Sequence, residues 1–202
     1  MLFRSPEYDT SYNIAPGQQV LAIIHDGHER RAGYLKWGLV PSWAKDEKIG
    51  YKMINARSET AHEKPSFRPL MARKRCLIVA DSFYEWQKQE SHKQPKRIKL
   101  ETRSIFAFAG LWDKWEQDGK SVFTCTILTK DANRFMQPIH QRMPIILPKK
   151  QEGEWIAPQA AKPSVMQEML QSIEMESLSA YDVSTYVNKV KNNDRECIAP
   201  LS

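Results

Sequence analysis

The segment ADSFYEW places a carboxylate among aromatic side chains, because Glu85 is flanked by Phe83, Tyr84 and Trp86. Removal from water disfavours the charged form of a carboxyl group, so we expect the pKa of Glu85 to be raised towards the range useful for proton exchange. The alternative is a surface glutamate that alternates outward from an apolar strand. The first interpretation predicts general acid–base chemistry at Glu85.

A second polar pair lies in PIHQRMP, where Pro138 and Pro144 bracket His140 and Arg142. Prolines restrict the backbone and so help to fix side chains outside regular structure. Histidine exchanges protons near neutral pH, and arginine binds phosphate through its planar guanidinium. His140 is therefore a candidate proton shuttle and Arg142 a candidate phosphate ligand. A structurally satisfied histidine is the alternative.

Asn55 and Arg57 lie two residues apart in MINARSET. On an extended strand, residues at this spacing point to one face. An amide beside a guanidinium can orient a substrate and bind a phosphate. Two ordinary surface residues would give the same pattern, so the pair indicates a site only together with the other segments.

Two further features are compatible with a nucleic-acid partner. In WGLVPSW, Trp37 and Trp43 lie on either side of Pro41, and such rings either plug a core or offer flat surfaces on which bases stack. The formal net charge is +6 and the pI is about 9.2. A solvated basic surface has the same composition, so charge alone does not identify the partner.

Several other kinds of site are not predicted. The sequence contains no glycine-rich phosphate loop, HExxH or GxSxG motif. Its three cysteines, Cys76, Cys125 and Cys197, are too widely spaced for a zinc motif or a disulfide framework. Cys76 and Cys125 lie in apolar runs and are predicted to be buried strand thiols. We expect no metal site.

Short apolar runs broken by turn signals must position these residues. VLAIIHDGHERRAGYLKWGLV predicts a hairpin, RCLIVADSFYEW a buried strand that ends in a corner with a functional character, and SVFTCTILT a strand after a turn. KRIKLE and IFAFAGLWDKW are predicted to pair with each other. Helices are predicted in PSVMQEMLQSI, around Glu152 to Trp155 and at the start of NRFMQPIH, and the tail YDVSTYVNKV is predicted to be a strand followed by a loop. The pattern predicts an α+β fold, a single domain built mainly on antiparallel β-sheet with a few short helices.

Taken in order, six segments resemble the SRAP family, the abasic-site-processing proteins also called SOS response-associated peptidases. They are SYNIAPGQ, WGLVPSWAKD, INARSET, RCLIVADSFYEW, FAFAGLWDKW and IHQRMPIIL. The resemblance runs from about Ser11 to about Val190. It implies a barrel-like fold, binding of abasic sites in single-stranded DNA, and covalent capture of the abasic sugar as a thiazolidine by a cysteine that follows the initiator methionine. It implies no metal or organic cofactor.

The resemblance also assigns residues. The catalytic residues of the family match Asn55, Glu85 and His140. Its DNA-contacting residues match Pro16, Trp43, Arg57, Thr129 and Arg142.

The start of the chain departs from the family pattern. Family members usually begin Met-Cys-Gly-Arg and carry a longer segment before the YN-APG motif, whereas this chain begins MLFRSPEYDTSYNIAPG with Leu2 in second position. We therefore expect residues 1–202 to be a single SRAP domain shortened at its N-terminus and lacking the nucleophilic cysteine.

Three functions remain open from the sequence. A complete family member crosslinks abasic DNA, a chain without the cysteine is a non-covalent single-stranded DNA binding module, and the older family name indicates a peptidase limited to self-processing. Whether the chain is an enzyme is therefore open at this point. The sequence shows no signal peptide or membrane-spanning apolar run, so we expect a cytoplasmic protein with no membrane partner. We also expect a monomer.

Overall fold

The computed structural model describes residues 8–174 and 176–201. Its strands are β1 (Gln19–His25), β2 (Arg30–Trp37), β3 (Asn55–Arg57), β4 (Arg75–Ala80), β5 (Phe83–Lys88), β6 (Lys93–Leu100), β7 (Phe106–Gln117), β8 (Lys120–Asp131), β9 (Arg142–Pro144), β10 (Ile146–Leu147) and β11 (Leu178–Asp182). Its helices are α1 (Ser58–Ala61), α2 (Arg68–Arg73), α3 (Lys149–Trp155) and α4 (Pro163–Gln171), with 3₁₀ turns at Glu47–Lys52, Thr185–Asn188 and Arg195–Ile198. Many strands with a few short helices confirm the predicted α+β fold.

A closed ring of five strands forms the centre of the larger sheet. β1 and β2 form the predicted antiparallel hairpin, and Gly27 in its turn has a φ of 103°, which L-residues rarely adopt. β1 also pairs with β4, β4 with β7, and β7 with β8. β8 runs parallel to the end of β2, which closes the ring. The barrel-like arrangement implied by the resemblance is thereby confirmed.

β8 aligns the strands that carry the site. The end of β2 pairs in parallel with residues 124–125 of β8, and β3 pairs in parallel with residues 127–129. β3 therefore continues the line of β2 along β8. β9 pairs antiparallel with the end of β8, which places Asp131 directly opposite Arg142.

A second sheet has the strand order β11, β6, β5. The prediction that KRIKLE pairs with IFAFAGLWDKW is wrong, because β6 and β7 belong to different sheets. β6 pairs instead with β5 and with β11 near the C-terminal end of the chain. Local hydrophobic patterns do not reveal such long-range pairing.

Apolar residues cover both faces of β4. Cys76 and Ile78 pack in one hydrophobic cluster, and Leu77 packs in another together with residues of α2, α3 and α4. Burial on both faces explains why RCLIVA is a continuous apolar run rather than an alternating one. α3 and α4 were both predicted, and they bury Trp155 and Leu170 completely.

The short helical segments differ from prediction. NRFMQPIH forms turns rather than a helix, since Pro138 cannot supply the backbone donor that a continuing helix needs. α1 and α2 were not predicted, because with four and six residues they are too short to show helical periodicity.

The three cysteines are buried. Burial raises the pKa of Cys76 and of Cys125, so the reactive thiolate is disfavoured at both. The prediction that Cys76 and Cys125 are buried strand thiols is confirmed.

Met1 and Leu2, on which the expectation of a shortened start depends, lie outside the described residues. In the part of the chain that the structure describes, no helix has the length and apolar character needed to span a bilayer. The residues that the sequence singled out, from Pro16 to Arg142, all lie within the described range.

Candidate functional site

β5 and the loop before β9 bring Glu85 and His140 together. Glu85 Oε1 lies 4.0 Å from His140 Nδ1, and the side chains are 23% and 47% exposed. Burial raises the pKa of Glu85, although nearby His140 and a backbone hydrogen bond from Trp86 act in the opposite direction. The direction of this pKa shift agrees with the expectation from the aromatic setting. A carboxyl group with a raised pKa beside a half-exposed imidazole can exchange protons with a bound molecule.

Two sets of contacts fix the loop that carries His140. Gln87 Nε2 donates a hydrogen bond of 2.9 Å to the carbonyl oxygen of Pro138, so the strand that carries Glu85 also holds this loop. His140 Nδ1 lies 2.9 Å from the carbonyl oxygen and 3.1 Å from the backbone nitrogen of Arg142. None of the described residues hydrogen-bonds His140 Nε2. Nε2 is therefore the ring nitrogen that can meet a ligand.

β3 exposes two predicted residues on one face. Asn55 and Arg57 are exposed, whereas Ala56 between them is 2% exposed. This alternation is the one that their spacing predicts. Within residues 8–174 and 176–201, neither side chain makes a hydrogen bond or an ion pair. An unpaired amide and guanidinium on one exposed face can bind an anionic ligand.

Arg142 is, in contrast, bound on almost every side. Its Nη1 and Nη2 each donate a 2.9 Å hydrogen bond to a different carboxylate oxygen of Glu59. Nη1 also donates to Asp131 Oδ1 at 2.5 Å, and Nη2 donates to the carbonyl oxygen and the hydroxyl of Thr129 at 2.9 and 3.3 Å. The guanidinium is therefore held in one orientation between α1 and β8.

These contacts also move two pKa values. The hydrogen bonds to Glu59 are the largest cause of the raised pKa of Arg142. Burial is the largest single influence on the pKa of Glu59 and acts to raise it. The hydrogen bonds from Arg142, backbone hydrogen bonds and the positive charge of Arg142 together outweigh burial, so the pKa lies below its ordinary value. Both groups are therefore charged across the neutral range, and the pair persists at physiological pH.

Five of the predicted residues form one connected group. Glu85 approaches His140, which contacts the backbone of Arg142, and the guanidinium of Arg142 reaches Thr129. Thr129 pairs with Arg57 across β8 and β3. Thr129 is 8% exposed, so its hydroxyl is committed to the protein interior. The name polar track is used below for the four of these residues that are at least partly exposed together with Asn55, which lies on the exposed face of Arg57: Asn55, Arg57, Arg142, His140 and Glu85.

The two tryptophans of WGLVPSW have different environments. Trp37 is half-buried, and its Nε1 donates a 2.8 Å hydrogen bond to the carbonyl oxygen of Ile54 at the start of β3. Trp43 is 62% exposed. Pro16 is also exposed, at the turn where the Gly17 nitrogen donates to the carbonyl oxygen of Trp37. Trp37 is thus part of the structure, while Trp43 and Pro16 present apolar surface to solvent.

Three residues of this region were not predicted from the sequence: Glu59, Gln87 and Asp131. For two of them the sequence contains a signal that could have indicated the residue. Gln87 shares a strand face with Glu85, and Glu59 follows Arg57 by two residues in ARSET. The pairing of Asp131 with Arg142 depends on the register of β8 and β9, which the local sequence does not show.

The chemistry available to these side chains is proton exchange and anion binding. Across the two described ranges, no group of three or more His, Cys, Asp or Glu side chains could hold a metal ion. The pair of Glu85 and His140 and the unpaired guanidinium of Arg57 are therefore the features that a function must explain.

Comparison with known proteins adds a family to this geometry. The family model described as SOS response associated peptidase (SRAP) matches residues 3–190. The chain belongs to the SRAP family. The resemblance carried by the six sequence segments is confirmed, and the closed ring of strands is the SRAP fold of this chain.

Relatives of this SRAP protein extend from bacteria to vertebrates. Abasic site processing protein YoaM of Bacillus subtilis (strain 168) is 52% identical over 198 residues, which cover 97% of this chain and 87% of YoaM. Abasic site processing protein HMCES of Xenopus tropicalis is 33% identical over 229 residues, which cover 98% of this chain and 68% of that protein. A crystal structure of a Bacteroides thetaiotaomicron protein matches with a TM-score of 0.82 at 28% identity, covering 92% of this chain and 82% of the other.

Proposed function

We propose that this SRAP protein recognises abasic sites in single-stranded DNA and that the polar track is the site of recognition and processing. Relatives named abasic site processing proteins support the proposal. The observation that carries it is the continuous set of contacts from Arg57, beside Thr129, through Arg142 to the pair of Glu85 and His140. This arrangement combines an anion-binding face with an acid–base pair.

In the proposed complex, Arg57 contacts a DNA phosphate. Its guanidinium is exposed and has no partner among the described residues, so it binds a phosphate without first losing an interaction. Pro16 and Trp43 supply apolar surface against which unstacked bases pack. Arg142, supported by Thr129, is proposed as the second phosphate ligand. The net charge of +6 favours the approach of a polyanion.

The proposed chemistry follows from the reactivity of an abasic sugar. Its ring-opened form carries an electrophilic aldehyde. In the reaction that the family resemblance implies, the amine of an N-terminal cysteine attacks this carbon, water leaves to give an imine, and the thiol adds to the imine carbon to close a thiazolidine. Glu85, whose pKa is raised by burial, supplies and recovers protons during ring opening and loss of water. His140 protonates the sugar oxygen, and Asn55 orients the attacking amine.

The internal cysteines cannot replace an N-terminal one. Cys76, Cys125 and Cys197 are buried, and their amines are tied up in peptide bonds. A thiazolidine needs an amine and a thiol on adjacent carbons, so the covalent step needs a cysteine at the N-terminus, ahead of SYNIAPGQ. A chain without one would bind abasic DNA non-covalently.

We further propose that residues 1–202 act as one SRAP domain, as a monomer in the cytoplasm. The family match over residues 3–190 supports the single domain. Light scattering coupled to gel filtration, with and without DNA, tests the oligomeric state, and a dimer in both samples would overturn it.

A binding titration tests the recognition step. Fluorescence anisotropy compares a single-stranded oligonucleotide containing a tetrahydrofuran abasic analogue, its undamaged counterpart and an undamaged duplex. We expect the single strands to bind more tightly than the duplex, and the affinity to fall as salt rises because phosphate contacts release counterions. Equal affinity for the undamaged duplex would contradict the proposal.

A further inference from the structure

Every outward hydrogen of the Arg142 guanidinium already has an acceptor within the protein. The two hydrogens of Nη1 go to Glu59 and Asp131, and those of Nη2 go to Glu59 and Thr129. Nε is buried without a partner, so it does not reach solvent. A phosphate can therefore bind Arg142 only by replacing one of these acceptors.

The three acceptors differ in how firmly they are held. The carbonyl oxygen of Thr129 belongs to the backbone of β8 and stays in place. Glu59 makes two hydrogen bonds to Arg142, is 36% exposed, and also accepts a backbone hydrogen bond from Asp131. The carboxylate of Asp131 offers a single oxygen to Arg142, and its side chain is 86% exposed. An ion pair with so exposed a partner is weak and screened by solvent, so Asp131 is the acceptor that leaves most easily.

The position of Asp131 suits an exchange with phosphate. Its carboxylate oxygen lies 2.5 Å from Nη1, where an anionic phosphate oxygen would make the same charge-assisted hydrogen bond. Asp131 is directly opposite Arg142 at the end of β8, so a change of side-chain rotamer releases it without moving the strand.

We infer that Asp131 occupies the phosphate position on Arg142 in the DNA-free protein and competes with DNA for it. This inference rests on the proposed function, since it needs Arg142 to meet a DNA phosphate. Asp131 then lowers the affinity of the polar track for DNA and offsets part of the charge that Arg142 offers to the backbone. The strength of phosphate binding at this end of the site is set by a residue that does not touch DNA.

The test compares Asp131→Asn with a control that changes charge equally. Asp118→Asn serves as the control, because Asp118 lies in the turn before β8, at the other end of the strand, and asparagine tolerates its φ of 51°. We expect Asp131→Asn to tighten the Kd for single-stranded abasic DNA by about two- to fivefold, the fold-change that corresponds to loss of an exposed ion pair. The salt dependence should steepen by up to about one unit in log Kd against log salt, since one carboxylate fewer then offsets the charge that Arg142 offers to a phosphate. Asp118→Asn should leave the salt dependence unchanged.

A double variant separates local competition from general repulsion. In an Arg142→Gln background, Asp131→Asn should no longer tighten binding. A gain that persists in that background, or one that Asp118→Asn reproduces, would overturn the inference. If Arg142→Gln does not fold, as judged by circular dichroism, the salt dependence of Asp131→Asn decides, and an unchanged dependence overturns the inference.

The same titrations separate this inference from the proposed function. Wild-type protein that does not bind single-stranded DNA would contradict the proposed function and the inference with it. Wild-type protein that binds, with Asp131→Asn indistinguishable from Asp118→Asn, would contradict the inference alone.

Discussion

The two arginines of the polar track have opposite surroundings. Arg57 is exposed on β3 without a partner among the described residues, whereas Arg142 is 21% exposed and bound by Glu59, Asp131 and Thr129. The sequence alone predicts both as phosphate ligands on equal terms. The difference teaches that Arg57 can bind a ligand directly, while Arg142 also holds α1 and β8 together. Substitution of Arg57 should therefore weaken DNA binding and leave stability almost unchanged. Substitution of Arg142 should lower both DNA binding and stability.

The largest expected effect belongs to Arg142→Ala. It leaves Glu59 partly buried and unpaired, so we expect the free energy of unfolding to fall by about 1–2 kcal/mol, the lower part of the range for a broken charged pair because solvent reaches Glu59. DNA binding should weaken as well. Urea unfolding followed by tryptophan fluorescence measures the change. Adding Glu59→Gln should recover part of the loss, and a single variant as stable as wild type would contradict the structural role of Arg142.

Arg57→Ala should weaken DNA binding and leave stability almost unchanged. Loss of one phosphate contact is expected to reduce affinity by about 1–2 kcal/mol and to lower the salt dependence by about one unit. The free energy of unfolding should stay within about 0.5 kcal/mol, as for other exposed residues. Arg68→Ala, at an exposed residue of α2 outside the polar track, is the matched control. If both variants bind equally well, the DNA path does not pass Arg57.

Glu85→Gln should change stability in a pH-dependent way. Because burial raises the pKa of Glu85, the folded protein keeps this proton to higher pH than the unfolded chain does, and stability falls as pH rises through that interval. Glutamine does not ionise, so the variant should melt at a higher temperature than wild type at about pH 8 and should lose this advantage at about pH 4. A melting-temperature difference that is the same at both pH values would show that the carboxylate is not desolvated.

The smallest expected effect is that of Gln87→Ala. It removes the hydrogen bond to Pro138, at a cost of about 0.5–1 kcal/mol. The loop that carries His140 should then exchange its amide hydrogens faster than in wild type. Hydrogen-exchange mass spectrometry of the peptide spanning residues 133–142 measures this, with Gln89→Ala as the control. Unchanged exchange would mean that the hydrogen bonds of His140 within its own loop suffice to hold it.

The local sequence predicted those features that depend on neighbours along the chain. The shared face of Asn55 and Arg57 follows from strand alternation. The direction of the pKa shift of Glu85, caused by burial, is the one predicted from its aromatic segment. The pairing of β6 with β11 and of Asp131 with Arg142 joins residues in different strands. Such contacts depend on sheet register and topology, which periodicity does not specify. For the same reason, the sequence could not predict that every outward hydrogen of the Arg142 guanidinium has an acceptor within the protein.

A denaturing gel tests most directly whether the polar track acts on abasic DNA. The protein is prepared with a family-type Met-Cys-Gly-Arg segment ahead of SYNIAPGQ and incubated with an abasic oligonucleotide without reductant. We expect a heat-stable protein–DNA band that forms more slowly in Glu85→Gln and in His140→Ala, and no such band from the sequence as printed. No band from the version with the added segment, or bands that form equally fast in both variants, would contradict the assignment of Glu85 and His140 to the chemistry. A heat-stable band from the printed sequence would show that another residue forms the bond.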